Sequence, residues 1–172
     1  MKRNVAGLAG ILILIWLDQF TKHLAKTILK PSGPFTLIPG VLELQYVENR
    51  GAAFGIMQNR QFFFILMTIV VLACVLVAMA RLPEKTYYLP LFICMTFVAA
   101  GAVGNLIDRV LHHYVTDFIY FSLIDFPVFN VADIYVTCAA FALVVLMVFF
   151  YRDEDLELIL KGRSRKKETE DR

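Results

Sequence analysis

Histidine, cysteine and tryptophan are scarce in this 172-residue chain, at three, three and one residues, and the scarcity removes whole classes of chemistry. Cys74, Cys94 and Cys138 are odd in number, form no C-x-x-C pair and lie inside apolar runs. Neither a disulfide framework nor a zinc site is expected, and the thiols read as small hydrophobes. There is no H-E-x-x-H or other metal-ligand spacing, no G-x-S-x-G nucleophile turn and no glycine-rich phosphate loop. Ser122 stands in no Ser–His–Asp order, and no patch suits nucleic acid. The expectation is a site without metal or cofactor, built from carboxylates and amides.

Charge is missing too, along four stretches: residues 4–17, 61–80, 86–107 and 134–151 hold no Asp, Glu, Lys or Arg. Hydrophobic residues make up 59% of the chain, against roughly 45–50% in soluble domains, which points to a membrane protein. At 1.5 Å per residue the last three stretches are roughly 27–33 Å long, about one hydrocarbon thickness. The first is short, and Lys2-Arg3 before it resembles the start of a signal peptide, but no small-x-small cleavage site follows cleanly. Its helical pattern instead runs on through Asp18, Lys22 and Lys26 to Leu29, where Pro31 and Gly33 stop it. The expected fold class is therefore an all-α membrane protein with four transmembrane helices at about 5–29, 61–81, 86–108 and 131–151. The chain reads as one integral membrane domain, 1–172, with a mixed-charge cytoplasmic tail over 152–172 that meets anionic lipid. With both termini inside, eleven of the 17 Lys and Arg fall on the cytoplasmic side, which sets the orientation.

Two segments then lie outside. In 31–60, Leu42, Leu44 and Tyr46 alternate with Glu43, Gln45 and Val47, a strand pattern that predicts a small extracytoplasmic β-sheet lying on the outer membrane surface. The segment 109–130 is rich in Phe and Tyr and predicts a loop or a short extracytoplasmic loop helix at the headgroup level.

The conspicuous polar residues converge on that outer side. Asp18 and Lys22, four apart, share a helix face, and a helix-end salt bridge alone explains them. Asn49, Arg50, Gly51 and Phe54 lie where the surface segment returns to the membrane, with Gly51 suited to a turn. "GAVGNLIDRV" offers a small-residue face at Gly101 and Gly104, and Asn105 and Asp108 share a face. Arg109 is expected to keep Asp108 ionised and anchored, leaving that aspartate structural or catalytic. His112 and His113 read as interfacial, and Asp125, before Pro127, as a turn residue. Asp117 and Asp133 have no neighbouring cation in sequence. In "FNVAD", Asn130 and Asp133 share a face at the mouth of the last span; read alone, they are either a helix cap or a site. Two carboxylates brought close in a low-dielectric site cannot both ionise easily, so one keeps a proton while the other takes a proton from water. That is peptide hydrolysis by an acid–base dyad. The rival reading is a small proton-coupled transporter or channel subunit whose carboxylates relay protons. Clustering of the polar groups at one face, spans unbroken by proline at mid-depth and the absence of an inverted repeat disfavour it.

The D-x-x-x-K of Asp18 and Lys22, "NRGAAF" at 49–54, "GAVGNLIDR" at 101–109, "VTDF" at 115–118 and "FNVAD" at 129–133 together resemble the bacterial lipoprotein signal peptidases (signal peptidase II), in the family's order and over roughly residues 5–150. The resemblance implies a four-helix inner-membrane aspartic endopeptidase. Such an enzyme removes the signal peptide from diacylglyceryl-modified prolipoproteins by cutting just before the lipid-bearing Cys. It implies Asp117 and Asp133 as the catalytic pair, with Asp18, Lys22, Asn49, Gly51, Asn105, Asp108, Arg109 and Asn130 as the supporting polar shell. It also implies no metal and no cofactor, and as partners only lipidated prolipoproteins and membrane lipid. The site is expected near the outer face of a bacterial cytoplasmic membrane, in a chain acting as a monomer, with the segment around Phe54 clamping substrate.

Overall fold

Among the described residues four helices are long and apolar enough to cross a membrane, three of them on the long uncharged stretches and the first continuing past its uncharged stretch through Asp18 and Lys22. The computed structural model describes residues 2–51, 60–152 and 154–155, without the Lys2 side chain. Phe54 and most of the NRGAAF block, and the tail beyond residue 155, lie outside the described residues. Helix α1 (Lys2–Leu24) runs into one π-helical turn (Ala25–Leu29) and a last turn (Lys30–Ser32), ended by Gly33 at a φ of 82°. Helix α2 spans Gln61–Arg81, α3 spans Leu89–His112 and α4 spans Val131–Phe149.

Helix α3 is the hub: it packs on α1, α2 and α4 and is much the most buried of the four. Its small residues make this possible. A Cβ on Gly101 would lie 2.6 Å from the Ala132 carbonyl oxygen and 2.7 Å from Val136 Cγ2, both in α4. A Cβ on Gly104 would lie 2.5 Å from Asp18 Oδ2 in α1. The two glycines let the neighbouring helices touch the α3 backbone, the small-residue mode of membrane packing. At the bundle end away from the sheet, Arg3 donates to the carbonyls of Leu82 (2.7 Å) and Pro83, and Tyr88 donates to Asp155 (2.6 Å).

The opposite end carries a four-stranded antiparallel sheet in chain order: β1 (Phe35–Ile38), β2 (Leu42–Asn49), β3 (Val115–Phe121) and β4 (Phe126–Phe129). The strand read from residues 42–47 is β2. The segment 109–130 departs from expectation. Beyond the end of α3 it folds as β3, a three-residue 3-10 turn (Ser122–Ile124) and β4, not as a loop or a short helix. β3 covers the second edge of β2, with Val47 opposite Asp117 and Asn49 opposite Val115, so backbone groups of that edge find partners. Its strand signal was hidden because residues 115–118 are all buried: a strand covered on both faces has no hydrophobic alternation to read.

Candidate active site

The site grows from three chain ends that meet beneath the sheet: the last turns of α1 and α3, and the first turn of α4. Asn130 caps α4. Its Oδ1 accepts the backbone N–H of Asp133 (3.0 Å), and Asp133 Oδ2 accepts the backbone N–H of Asn130 (3.1 Å), a reciprocal capping box. The cap consumes one edge of each side chain and leaves the other free. Asn130 Nδ2 reaches Asp117 Oδ1 at 2.6 Å and Asn105 Oδ1 at 3.2 Å, while Asn105 Nδ2 reaches Asp133 Oδ1 at 2.8 Å. Two amides thus link the carboxylates of β3 and α4. Asn49 of β2 completes the set, donating to Asp117 Oδ2 at 2.9 Å and accepting the N–H of Gly51 at 3.0 Å.

Behind this layer lies a buried ionic one. Lys22, 4% exposed, is 2.9 Å from Asp18 Oδ2 and 3.3 Å from Asp108 Oδ2, and donates to Asn105 Oδ1 at 2.9 Å. An ammonium only donates, so Asn105 must present its oxygen to Lys22 and its NH2 to Asp133. Asp18 also accepts the backbone N–H of Ala132 (2.9 Å), and Asp108 that of Thr116 (2.9 Å). These two carboxylates tie α1 to α4 and α3 to β3. Asp108 is therefore anchored by Lys22. Arg109, expected in that role, stands over the Phe64 ring of α2, 5.2 Å from its centroid. Adjacent helical residues point about 100° apart and do not face each other.

Asp117, Asp133, Asn49, Gly51, Asn105 and Arg109 line one cleft of about 420 Å³, walled by the apolar Phe126–Phe129 strand and by Ile134 and Thr137 of α4. A smaller cleft of about 280 Å³ on the α2 side shares Asn105, Arg109, Asp133 and Thr137. Among the described residues neither Asp117 nor Asp133 forms a salt bridge with a Lys or Arg, although the charge of Arg109, on the same cleft, acts on both. Asp117 is 2% exposed. Burial, and after it the negative charge of Asp133, push its carboxyl up to about 7, against the opposing pull of hydrogen bonds from Asn49 and Asn130 and the charge of Lys22. A buried acid near neutrality beside a second carboxylate can hold and release one proton, which is what acid–base work on water requires.

Of the ten residues expected as catalytic pair and polar shell, six line this cleft, Asn130 bonds to Asp117 and Asn105 at its edge, and Asp18, Lys22 and Asp108 form the ionic layer behind Asn105. His112 and His113 do not line the cleft: both are exposed, His112 stacks on Tyr114, and His113 closes α3 at a φ of 62°. Asp125 is the turn residue expected, left-handed at φ 49° and accepting from Tyr120. Among the described residues no three His, Cys, Asp or Glu are grouped as metal ligands. Gln19 was missed. Its amide donates to Asp18 Oδ2 (3.1 Å), the Gly104 carbonyl (3.1 Å) and Asp108 Oδ1 (3.2 Å). A neutral amide beside Asp18 in an otherwise apolar helix was the available signal, since such groups act as interhelical glue. The backbone donors of Thr116 and Ala132 leave no trace in side-chain identity.

A family model described as signal peptidase (SPase) II matches residues 10–150. A lipoprotein signal peptidase of Caldanaerobacter subterraneus subsp. tengcongensis is 46% identical over 140 residues, covering 81% of this chain and 93% of that one. Its counterpart from Streptococcus thermophilus is 39% identical over 145 residues, covering 84% and 94%. Two solved bacterial membrane enzymes superpose with TM-scores of 0.74 and 0.72, at 28% and 30% identity, covering 94% and 85% of this chain and 94% of each of theirs.

Proposed function

The chain belongs to the signal peptidase II family and is a multi-pass bacterial membrane peptidase, and from this we propose that Asp117 and Asp133 form an aspartic dyad that cleaves diacylglyceryl-modified prolipoproteins before the lipid-bearing Cys. The observation that carries the reading is the pair itself: two carboxylates without a salt-bridge partner, lining one cleft and linked through Asn130 and Asn105. Asp117 holds the shared proton and hydrogen-bonds the scissile carbonyl, while Asp133 takes a proton from the attacking water. The tetrahedral intermediate collapses as a proton passes to the departing amine, which becomes the amino group of the lipid-bearing Cys. Asn105 and Asn130 hold the two carboxylates in register, and the Lys22 layer fixes Asn105. The remaining shell, Asp18, Asp108, Gly51 and Arg109, keeps α1, α3 and the sheet around the cleft. The reaction draws on these side chains and water, without metal or cofactor.

The same proposal sets the site near the outer face of the membrane, with both termini cytoplasmic, the sheet lying on the outer surface and the chain, 1–172, acting as one monomeric integral membrane domain. The apolar walls of the two clefts suit a signal helix and acyl chains, the chemistry of a lipidated substrate in the bilayer. Asp117→Asn and Asp133→Asn are expected each to lower cleavage of a lipidated prolipoprotein by at least about 10²–10⁴-fold, the worth of general acid–base catalysis, with EDTA leaving the parent unaffected. Either variant retaining parental activity while folded in the membrane overturns the assignment.

A further inference from the structure

A second pocket lies on the other side of the catalytic strand. It has a volume of about 510 Å³ and is bounded by Leu24 of α1, by Ala25 and Ile28 of its extension and by Phe35, Leu44 and Phe118 of the sheet. The π-helical turn Ala25–Leu29 forms its helical wall, with Ala25 and Leu29 clustered against Phe118. Consecutive residues of a strand face opposite ways. Asp117 lines the catalytic cleft, and Phe118, next to it, lines this pocket. We propose that the pocket is a binding site for one acyl chain of a membrane phospholipid, seated behind the strand that carries Asp117.

The occupant follows from continuity with the lipid-facing surface. Leu17, Phe20, Leu24 and Ile28 are exposed at 40, 44, 39 and 55% and form one apolar row along α1 and its extension, a helix long enough to span the bilayer. The last two members of that row are also walls of the pocket. The concavity therefore opens from the surface that contacts hydrocarbon, and an apolar cavity of this kind takes up an apolar guest in preference to water. The membrane supplies acyl chains at that surface. The substrate's own acyl chains are the competing source. They are attached at the residue beside the scissile bond, on the Asp117 face, and β3 stands between them and this pocket. That exclusion rests on the peptidase reading above; the pocket itself does not.

The test uses the full chain, without substrate, in nanodiscs of phosphatidylethanolamine and phosphatidylglycerol containing a phosphatidylethanolamine with a diazirine at the end of one acyl chain. After irradiation, mass spectrometry is expected to find lipid adducts on Leu29, Leu44 or Phe118 as well as on the exposed helix faces. Leu44→Trp, which fills the pocket from the sheet side, is expected to lower the pocket adducts about tenfold, the equivalent of losing about two buried methylenes. Adducts at Phe62 and Leu66 of α2, both exposed, serve as the unchanged reference. Where Leu44→Trp does not fold, Ile28→Trp at the rim gives the same comparison. Adducts confined to exposed faces overturn the proposal, as do pocket adducts insensitive to filling. Labelling that appears only when the diazirine chain is carried by an added lipidated substrate overturns the choice of a membrane phospholipid. Activity of the Asp117→Asn variant bears on the peptidase reading alone, so the two failures are distinct.

Discussion

Removing Asn49 tests whether the proton on Asp117 governs catalysis. Asn49 donates to Asp117 Oδ2 at 2.9 Å, and this bond favours the ionised carboxylate. Replacing it with leucine of similar size removes the donor, so the carboxyl rises further above its starting point of about 7. A hydrogen bond to a charged group contributes about 1.5–3 kcal/mol, and at about 1.36 kcal/mol per pH unit the rise is about 1–2 units. The sign for activity follows. The working form keeps the proton on Asp117, so kcat/KM of the parent falls about tenfold per unit above pH ~7, and in Asn49→Leu the fall begins at pH ~8–9. The measurement is kcat/KM for a diacylglyceryl peptide in micelles from pH ~5.5 to ~9.5. Asn49 also accepts the Gly51 N–H at 3.0 Å, and loss of that contact alone lowers activity equally at every pH. An alkaline limb that stays in place or moves toward acid refutes the assignment of the proton to Asp117.

Four further substitutions test the packing and the supporting layers. Gly104→Ala sets a Cβ 2.5 Å from Asp18 Oδ2 and is expected to destabilise by about 1–3 kcal/mol through overpacking, read as a lowered unfolding midpoint in detergent. Gly10→Ala meets only Thr96 Cγ2 at 3.5 Å, an ordinary contact, and is expected to leave that midpoint within error or raise it. Lys22→Met strips the cation from Asp18 and Asp108, both buried, and is expected to cost about 3–5 kcal/mol. Adding Asp108→Asn to it is expected to recover part of that loss, a non-additivity of about 0.5–3 kcal/mol in a double-mutant cycle.

Three of the helices were legible because hydrocarbon imposes one rule on every residue of a span and a stretch without charge satisfies it in full, whereas the first was read from a helical pattern that runs on through Asp18, Lys22 and Lys26. β2 was legible because apolar and polar residues alternate along it in sequence, although in the fold every one of its positions is half-buried. β3 failed that test because both of its faces are covered, although its composition, Val, Thr, Phe, Ile and Tyr, is that of a strand. The site residues could be listed from type and position, but their pairing could not. Asp108 beside Arg109 suggested a neighbourly ion pair, whereas the fold joins Asp108 to Lys22 across 86 positions of chain. Gln19 had the same difficulty: its three acceptors lie on two helices, and only packing through Gly104 brings them together.

Asp133 was the residue on which sequence reasoning divided, cap or catalyst, and the structure shows a cap that leaves one of its oxygens available. The capping box uses Asp133 Oδ2 and the backbone N–H of Asn130; Oδ1 remains for Asn105 and the cleft. An aspartate at the mouth of a membrane helix needs donors around it, and a helix N-terminus supplies them without spending a cation. The same arrangement holds Asn130 so that its amide reaches Asp117 at 2.6 Å. Stability of the helix end and alignment of the two carboxylates thus come from one set of hydrogen bonds. A change at Asn130 is accordingly expected to lower both together. Asn130→Ala removes the cap acceptor, costing about 0.5–2 kcal/mol, and it also withdraws the donor to Asp117 Oδ1. Asn130→Ser restores a capping oxygen but is too short to keep the 2.6 Å amide contact. The serine variant is therefore expected to recover the unfolding midpoint without recovering kcat, and recovery of both would show that Asn130 acts on the dyad only by holding the helix end.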